Sequence, residues 1–231
     1  MRTYLLIGGS GGIGAATAKK LSDRGDRYYM VSRTAPEQLS GLIRHFQMDV
    51  MKDDLGTIDI DKNLEGLVYF PGSINLKPFR GLKEEDFQTD FNVNLLGAVK
   101  VLKAFFNKLK KGNQPSVVLY STVAVGQGMP FHASVAAAKG AVEGFARSLA
   151  AEWAPTVRVN AIAPSLTDTP LAGRLLDNDT KRENASGRHP LRRVGTADDI
   201  AALTAFLLSE ESGWITGQVM GVDGGLSALK I

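Results

Sequence analysis

The first twenty residues of the chain constrain its fold more than any other stretch. Residues 2–7 are mostly apolar, β-branched or aromatic, a glycine cluster occupies 8–14, and residues 15–21 are rich in good helix formers. This order predicts a strand, a tight turn and a helix. Glycines permit positive φ and close approach to the main chain, and the first helical N–H groups attract an anion. The segment therefore predicts a site for the diphosphate of a nucleotide, with an ordinary turn as the alternative.

Composition excludes several classes of function. The 27 Lys and Arg residues exceed the 24 Asp and Glu residues by only three. The basic clusters at 108–111 and 192–193 are short and contain no aromatic residues, which argues against nucleic-acid binding. The absence of cysteine excludes disulfides, Cys-ligated zinc and thiol nucleophiles, and no metal site is expected. No apolar run reaches membrane-spanning length, so a cytoplasmic protein without membrane contact is expected.

Strand and helix patterns alternate along the chain. Strands are predicted at 27–31, 43–48, 66–70, 115–120, 157–162 and 218–222, and helices at 12–24, 83–107, 133–153 and 196–208. The region between the third and fourth strands contains little that could form a long helix. The alternation predicts an α/β fold, with one doubly wound sheet of about seven parallel strands and helices on both faces. One domain spanning 1–231 is expected.

The residues after the second strand indicate which dinucleotide binds. An acidic residue about 20 positions beyond the glycines holds the ribose 2′-OH of NAD, whereas an arginine accommodates the 2′-phosphate of NADP. Here the strand ends in Ser32, Arg33 and Thr34. NADP is therefore favoured over NAD. In the alternative, Arg33 is an ordinary loop residue and Asp26 or Glu37 contacts the ribose.

Polar residues near the ends of later elements are candidates for the active site. Ser121 and Thr122 follow the fifth strand, where open α/β sheets bind ligands. Asn94 interrupts an apolar helical stretch, which suits either a structural or a catalytic amide. A glycine-bearing loop is predicted at 126–130. The polar stretch from Leu171 to Arg193 is predicted to be a mobile cover over this edge of the sheet and to contact the substrate.

Several motifs, in this order, resemble those of the short-chain dehydrogenase/reductase family along nearly the whole chain. The family's T-G-x-x-x-G-x-G opening corresponds to 7–14, with Ile7 in place of Thr, and its Asp-Val pair corresponds to 49–50. Further similar segments are 92–95, 158–164, 169–170, 190–195, 214–218 and 222–225. The final part is similar to that of bacterial 3-oxoacyl-carrier-protein reductases.

The resemblance implies a Rossmann-type fold, hydride transfer between NADP(H) and a small substrate, and specific roles for individual residues. The implied cofactor-binding residues are Gly8, Ser10, Gly12, Ile13, Gly14, Ser32, Arg33, Asp49, Val50, Gly72, Lys139, Pro164, Leu166 and Thr169. The implied catalytic residues are Asn94, Thr122 and Lys139, and His132 is added as a candidate acid. Family members usually pair through helices corresponding to 87–109 and 133–153, so a homodimer or homotetramer is expected.

One departure from the family pattern bears directly on the chemistry. The family's Tyr-x-x-x-Lys pair places a tyrosine four residues before Lys139, where this chain has Val135, which has no proton to give. His132 lies seven residues before Lys139, the spacing found for the tyrosine in the enoyl-reductase branch. Tyr120, Tyr69 and Lys139 itself are the other candidate proton donors. Residues 69–72 correspond to the family's Asn-Asn-Ala-Gly after the fourth strand but read Tyr-Phe-Pro-Gly and keep only Gly72.

Two functions remain open at this point. The first is an NADP(H)-dependent oxidoreductase acting on a small carbonyl or acyl-thioester compound, with the proton supplied by a group other than residue 135. Reduction of a conjugated C=C in an acyl thioester suits the valine better than ketone reduction does, because it needs an oxyanion stabiliser and leaves protonation of carbon to water or another side chain. The second is a non-catalytic dinucleotide-binding protein that acts as a sensor or assembly subunit.

Overall fold

The computed structural model describes residues 1–38 and 40–230, so Leu39 and Ile231 of the expected 1–231 domain lie outside the description. Seven parallel strands form the main sheet: β1 (Thr3–Ile7), β2 (Arg27–Ser32), β3 (Leu42–Gln47), β4 (Gly66–Tyr69), β5 (Ser116–Tyr120), β6 (Arg158–Pro164) and β9 (Val219–Val222). Their order is β3-β2-β1-β4-β5-β6-β9. The short strands β7 (Thr167–Asp168) and β8 (Gly195–Thr196) form a separate parallel pair.

Helices cover both faces of the main sheet. They are α1 (Gly12–Asp23), α2 (Glu84–Phe91), α3 (Gly97–Lys110), α4 (Val123–Gln127), α5 (Ala133–Trp153), α6 (Asp179–Arg188) and α7 (Ala197–Leu208). Successive side chains of a strand point to opposite faces. Accordingly, Tyr4 and Leu6 of β1 pack with α1 and α7, whereas Leu5 and Ile7 pack with α3 and α5. The predicted doubly wound parallel sheet with helices on both faces is confirmed.

The strand order reverses between β1 and β4, and this reversal determines where a ligand can bind. Connections on the two sides of such a point leave in opposite directions, so a crevice opens at the carboxyl ends of the strands. Gly8 follows β1 at φ +79°, and a Cβ there would lie 3.0 Å from Pro71 Cδ, just beyond β4. The glycine therefore lets the two chain segments come together at the base of the crevice.

The single helix predicted over 83–107 is interrupted. Residues Asn92–Leu96 form a π-helical turn between α2 and α3. The Asn94 side chain donates through Nδ2 to the Asp90 carbonyl at 2.7 Å, and in a regular α-helix that carbonyl would accept from the backbone N–H of residue 94. Local side-chain bonding of this kind accounts for the interruption, and π-turns within helices are frequent at functional sites.

Two segments predicted as loop or cover contain helices. Within the predicted loop at 126–130, residues 126 and 127 belong to α4, whose first turn is capped by Thr122 Oγ1 accepting from the Ala124 N–H at 3.3 Å. The Leu171–Arg193 stretch lies largely in a 3₁₀ helix (Pro170–Leu175) and in α6. Its polar side chains form the solvated surface of these helices. The sequence therefore lacks the periodic apolar residues from which a helix is predicted. Mobility of this cover stays a prediction.

The connection from β3 to β4 is abbreviated, as predicted. Residues 48–65, all of which the structure describes, contain one 3₁₀ turn (Leu55–Thr57) and no α-helix. Across residues 1–38 and 40–230, none of the helices combines the length and apolar character needed to cross a membrane.

Replacing Gly66 with alanine is expected to lower the free energy of unfolding by about 1–3 kcal/mol. The added Cβ would lie 2.8 Å from the Ser116 carbonyl oxygen of β5 and 2.7 Å from Leu208 Cδ2 of α7. Urea denaturation followed by circular dichroism measures the change. Gly81→Ala is the matched control, since a Cβ there meets no atom of the described chain within 4 Å. Equal losses in both variants would contradict tight packing around β4.

Candidate active site

A cavity of about 1160 Å³ occupies the crevice at the carboxyl ends of the central strands. The lining contains most of the site residues that the sequence predicts, and these residues come from segments that are far apart in the chain. The predicted residues in its lining are Gly8, Gly12, Ile13, Gly14, Gly72, Thr122, His132, Lys139, Pro164, Leu166 and Thr169. Ser10, Ser32, Arg33, Asp49, Val50 and Asn94 lie outside this lining.

The glycine cluster at the start of α1 provides the close backbone approach that a diphosphate requires. Gly12 has φ +52°, and a Cβ on Gly14 would lie 2.6 Å from the Gly9 Cα. A Cβ on Gly11 would meet no atom of residues 1–38 or 40–230 within 4 Å, so this glycine faces open space. No side chain in this described set caps the first turn of α1, and that turn contains no acidic residue. Its N–H groups and helix dipole therefore fit an anion.

The residues after β2 carry hydroxyls and a positive charge. The hydroxyls of Ser10 and Thr34 are hydrogen-bonded at 2.8 Å, Ser32 Oγ donates to the Thr34 carbonyl at 2.8 Å, and Arg33 is exposed. The alternative ribose ligand Asp26 lies at the opposite end of β2. Its carboxylate accepts from the Arg2 N–H and from Arg24, both at 3.0 Å. Asp26 is therefore unavailable to a ligand at the carboxyl edge.

Asp49 and Val50 follow β3 and are held in a turn. Asp49 Oδ1 accepts from the Met51 N–H at 3.0 Å, and the buried Val50 offers its carbonyl to Lys100 Nζ at 3.0 Å. The turn lies beside the crevice rather than in the lining of the large cavity.

Lys139 lies on α5 with its amine buried against β5. Its Nζ donates to the Tyr120 carbonyl at 2.8 Å. Burial lowers the pKa of the Lys139 ammonium to about 8, because the charged form loses its hydration, and the negative charge of Asp90 opposes this shift. At neutral pH the ammonium form still predominates.

A buried polar cluster beside Lys139 was not found by the sequence reasoning. Ser73 Oγ donates to Asp90 Oδ1 at 2.6 Å and accepts from Asn94 Nδ2 at 2.8 Å. A Cβ placed on Gly72 would lie 3.3 Å from Asn94 Oδ1 and 3.4 Å from Lys139 Nζ, so both atoms approach the same small space. An aspartate one turn before Asn94, on the buried side of an amphipathic helix, was the signal that could have revealed the cluster.

Val135, which the family resemblance predicts to stand at the position of the tyrosine, provides an apolar surface. Val135 is buried and lines the cavity. His132 also lines it, at the N-cap of α5, with its Nδ1 2.7 Å from the Pro130 carbonyl oxygen. That contact leaves Nε2 as the ring nitrogen available to a ligand.

Neither alternative tyrosine directs its hydroxyl to Lys139. Tyr120 is hydrogen-bonded to Thr204 Oγ1 of α7 at 2.6 Å, and Tyr69 donates to the Val93 carbonyl at 2.7 Å. Burial raises the pKa of both hydroxyls. Both side chains are buried in the core, although part of Tyr120 also lines the cavity.

The two hydroxyls that follow β5 have different environments. Ser121 is buried and donates to Glu143 Oε1 at 2.7 Å. Thr122 lines the cavity, and its oxygen accepts the cap bond of α4. Because a hydroxyl both donates and accepts, the Thr122 proton is left to bond an oxygen in the cavity.

Comparisons with known proteins agree with this architecture. The family described as Enoyl-(Acyl carrier protein) reductase matches residues 8–227. A 3-oxoacyl-[acyl-carrier-protein] reductase from Chlamydia trachomatis is 30% identical, over 98% of this chain and 97% of that protein.

Solved structures extend the likeness to three dimensions. The ligand-free aldohexose dehydrogenase of Thermoplasma acidophilum superposes with a TM-score of 0.90 and 28% identity, over 99% of this chain and 95% of that one. ElxO with NADP bound has a TM-score of 0.86 and 25% identity, over 99% and 100% of the two chains. From these matches and the geometry of the cavity, the chain belongs to the short-chain dehydrogenase/reductase family, whose members are oxidoreductases that use a nicotinamide dinucleotide.

Proposed function

We propose that this protein is an NADP(H)-dependent reductase of a small carbonyl or acyl-thioester substrate. One observation carries the proposal: a single cavity is lined by the glycine cluster at one end and by Lys139 and Thr122 at the other. A dinucleotide bound by the glycines would therefore extend toward a cation and a hydroxyl donor that can act on a substrate oxygen.

Distinct groups of residues would hold the two ends of the cofactor. The backbone around Gly12 and the first turn of α1 suit the diphosphate, with Ile13 and Gly14 beside it. Arg33, with Ser10 and Ser32 nearby, suits the 2′-phosphate, and Asp49 and Val50 suit the adenine side. Lys139 and the turn containing Pro164, Leu166 and Thr169 suit the nicotinamide end. When bound, the nicotinamide supplies the hydride.

The chain's own residues position and activate the substrate. Thr122 donates a hydrogen bond to the substrate oxygen and thereby stabilises negative charge that develops there. Lys139 adds a positive charge at the same end of the cavity. Asn94 braces the neighbouring loop through Ser73. His132 is a candidate proton donor at the mouth, where its Nε2 remains free of the Pro130 contact.

The apolar surfaces of the cavity favour an acyl substrate. Val135 lies next to Lys139 in the lining, and the mouth carries Ile74, Phe131 and Leu171, all large apolar side chains with exposed surface. Such surfaces gain free energy by covering a hydrocarbon chain. An enoyl thioester suits this environment because its reduction requires stabilisation of the thioester oxygen and no tyrosine at position 135.

Turnover of NADPH with a panel of 3-oxoacyl, enoyl and dienoyl thioesters and simple ketones tests the proposal. We expect oxidation of NADPH with at least one thioester and loss of most of that rate in Lys139→Met. If no compound supports NADPH oxidation while calorimetry shows that NADPH binds, the result would favour a non-catalytic dinucleotide-binding protein instead.

Arg33→Ala is expected to weaken NADPH binding by about 10- to 100-fold, because charge-assisted hydrogen bonds contribute roughly 1.5–3 kcal/mol. NADH binding should hardly change, since NADH lacks the 2′-phosphate. Titration calorimetry with both nucleotides measures the difference. Arg27→Ala is the control, because Arg27 is exposed at the opposite end of β2. Equal weakening of both nucleotides by Arg33→Ala would contradict the assignment of NADP.

Val135→Tyr is expected to raise ketone reduction by about 10²- to 10⁴-fold, the range typical of a positioned general acid. Val135→Phe introduces the ring without the hydroxyl and is the matched control. Steady-state rates of both variants with the same ketone provide the measurement. Equal rates would indicate a remodelled site in which the missing hydroxyl is not the limiting feature.

We further propose that the protein forms a homodimer or homotetramer through α2, α3 and α5. A shallow groove between α2 and α5 contains Phe87 and Phe91, and the nearby Leu96 is also partly exposed. Apolar side chains on a helical face favour contact with a second copy. Light scattering after gel filtration should give at least twice the monomer mass of 24.8 kDa.

A further inference from the structure

Asp90 is a buried carboxylate to which the proposed function assigns no role. Its side chain is on α2, and the residue is only 1% exposed. Ser73 donates to Oδ1, whereas Oδ2 has no hydrogen-bond partner among residues 1–38 and 40–230. A buried carboxylate with an unsatisfied oxygen is costly unless a positive charge lies nearby.

The amine of Lys139 is that positive charge. The Lys139 residue is only 7% exposed, and Asp90 is the group whose charge raises the pKa of Lys139 against the effect of burial. A lysine ammonium has three N–H hydrogens to donate. Among the described residues, the Tyr120 carbonyl accepts one of them. Asn94 Oδ1, which approaches the same space beside Gly72, likewise has no hydrogen-bond partner in that set. A cation and two unsatisfied oxygens thus occupy one buried cluster.

Glu84 and Glu85 of α2 are exposed, and several other charged or titratable groups on the surrounding elements have partners of their own. On α5, Glu143 accepts from Ser121 and pairs with Arg147. On α2, Asp86 pairs with Lys77 at 2.7 Å. The two tyrosines on the adjoining strands, Tyr69 of β4 and Tyr120 of β5, direct their hydroxyls to Val93 and Thr204. Asp90 acts on Lys139 through space rather than through an ion pair, across the cluster formed by Ser73, Asn94 and the space beside Gly72.

We propose that Asp90, fixed by Ser73, is a positioning residue that keeps Lys139 protonated, so that the Lys139 ammonium replaces the absent tyrosine as the source of the substrate proton. This inference rests on the proposed function and deepens it. Asp90 lies outside the cavity lining and acts through Lys139, whereas Lys139 itself lines the cavity. Ser73 holds the carboxylate in place at 2.6 Å, and Asn94 holds the Ser73 hydroxyl at 2.8 Å.

The proton balance is simple. An N–H bond of the Lys139 ammonium breaks while an O–H bond forms on a reduced carbonyl, or a C–H bond forms at the α carbon of a reduced enoyl thioester, and the hydride is that of the proposed function. The neutral amine then takes a proton from water before the next turnover. Burial alone would favour the neutral amine, and the carboxylate restores the charged form. An acid whose pKa lies close to the working pH is the most effective proton donor.

Lysine NMR tests the pairing without any substrate. The full chain is labelled with ¹³Cε-lysine, and the Lys139 signal is assigned by its loss in Lys139→Arg. The pKa of Lys139 should fall by about one unit or more in both Asp90→Asn and Asp90→Leu. Leucine matches the branched shape of aspartate in a buried position. Glu85→Gln removes one exposed negative charge from the same helix and should leave that pKa unchanged. An unchanged pKa in both Asp90 variants would overturn the proposal.

The rate of NADPH oxidation tests the proton supply. In the unaltered protein, the rate should fall as the pH rises through the pKa of Lys139, because the ammonium form is consumed. In Asp90→Asn this fall should begin about one pH unit lower, with the affinity for NADPH unchanged. If Asp90→Asn lowers the pKa of Lys139 but leaves the pH dependence of the NADPH oxidation rate unchanged, Lys139 is not the proton donor. Absence of turnover in the unaltered protein would instead count against the proposed function, and the NMR result would still decide the pairing.

Discussion

Burial of the Lys139 amine is the constraint around which the active-site region is arranged. A buried ammonium loses its hydration and therefore needs nearby oxygens and negative charge. The carbonyl of Tyr120 at the end of β5 supplies one oxygen directly, at 2.8 Å. The absence of a side chain at Gly72 leaves room beside the amine, because a Cβ there would lie 3.4 Å from Nζ. The π-turn that contains Asn94 carries a polar side chain to the same place.

The same constraint explains why rigid elements surround the lysine. Lys139 lies within α5, a helix of 21 residues, and its acceptor ends a central strand of the sheet. Asp90 and Asn94 lie one turn apart, on α2 and on the π-turn that follows it. Their backbone is held on one side by the apolar core and on the other by α5. Functional groups supported by regular elements keep their geometry more precisely than groups on loops do.

The fold was largely predictable because its signals are periodic. Strands that are buried on both faces appear in the sequence as continuous apolar runs. The glycines after β1 indicate where that strand ends, and Asp198 with Asp199 indicates where α7 begins. The helix α6 was missed for the opposite reason. Its residues are mostly solvated, so its stability depends on local bonds such as the Asn178 cap and the Lys181–Asp177 pair. Bonds of this type leave no apolar period in the sequence.

The site was only partly predictable, because single residues depend on contacts between distant segments. Thr122, Lys139 and Gly72, which were predicted from the family resemblance, line the same cavity. The partnership of Ser73 with Asp90 joins two residues separated by 17 positions across a loop and a helix. The position of Asp90 one turn before Asn94 hints at a polar cluster, but no spacing identifies Ser73 as its partner. Polar clusters of this kind become visible only when packing brings the segments together.

If Val135 stands where the family has its tyrosine, as the resemblance predicts, the forces around the lysine differ from those in the family. A tyrosine there would place a titratable hydroxyl near the amine, and the positive charge of the lysine would lower the pKa of that hydroxyl. Valine offers no such hydroxyl. The negative charge that acts on Lys139 is that of Asp90, which is buried and bonded to Ser73. In the proposed mechanism the two features are complementary, since Val135 supplies no acid on the substrate side while Asp90 preserves a proton on the neighbouring amine.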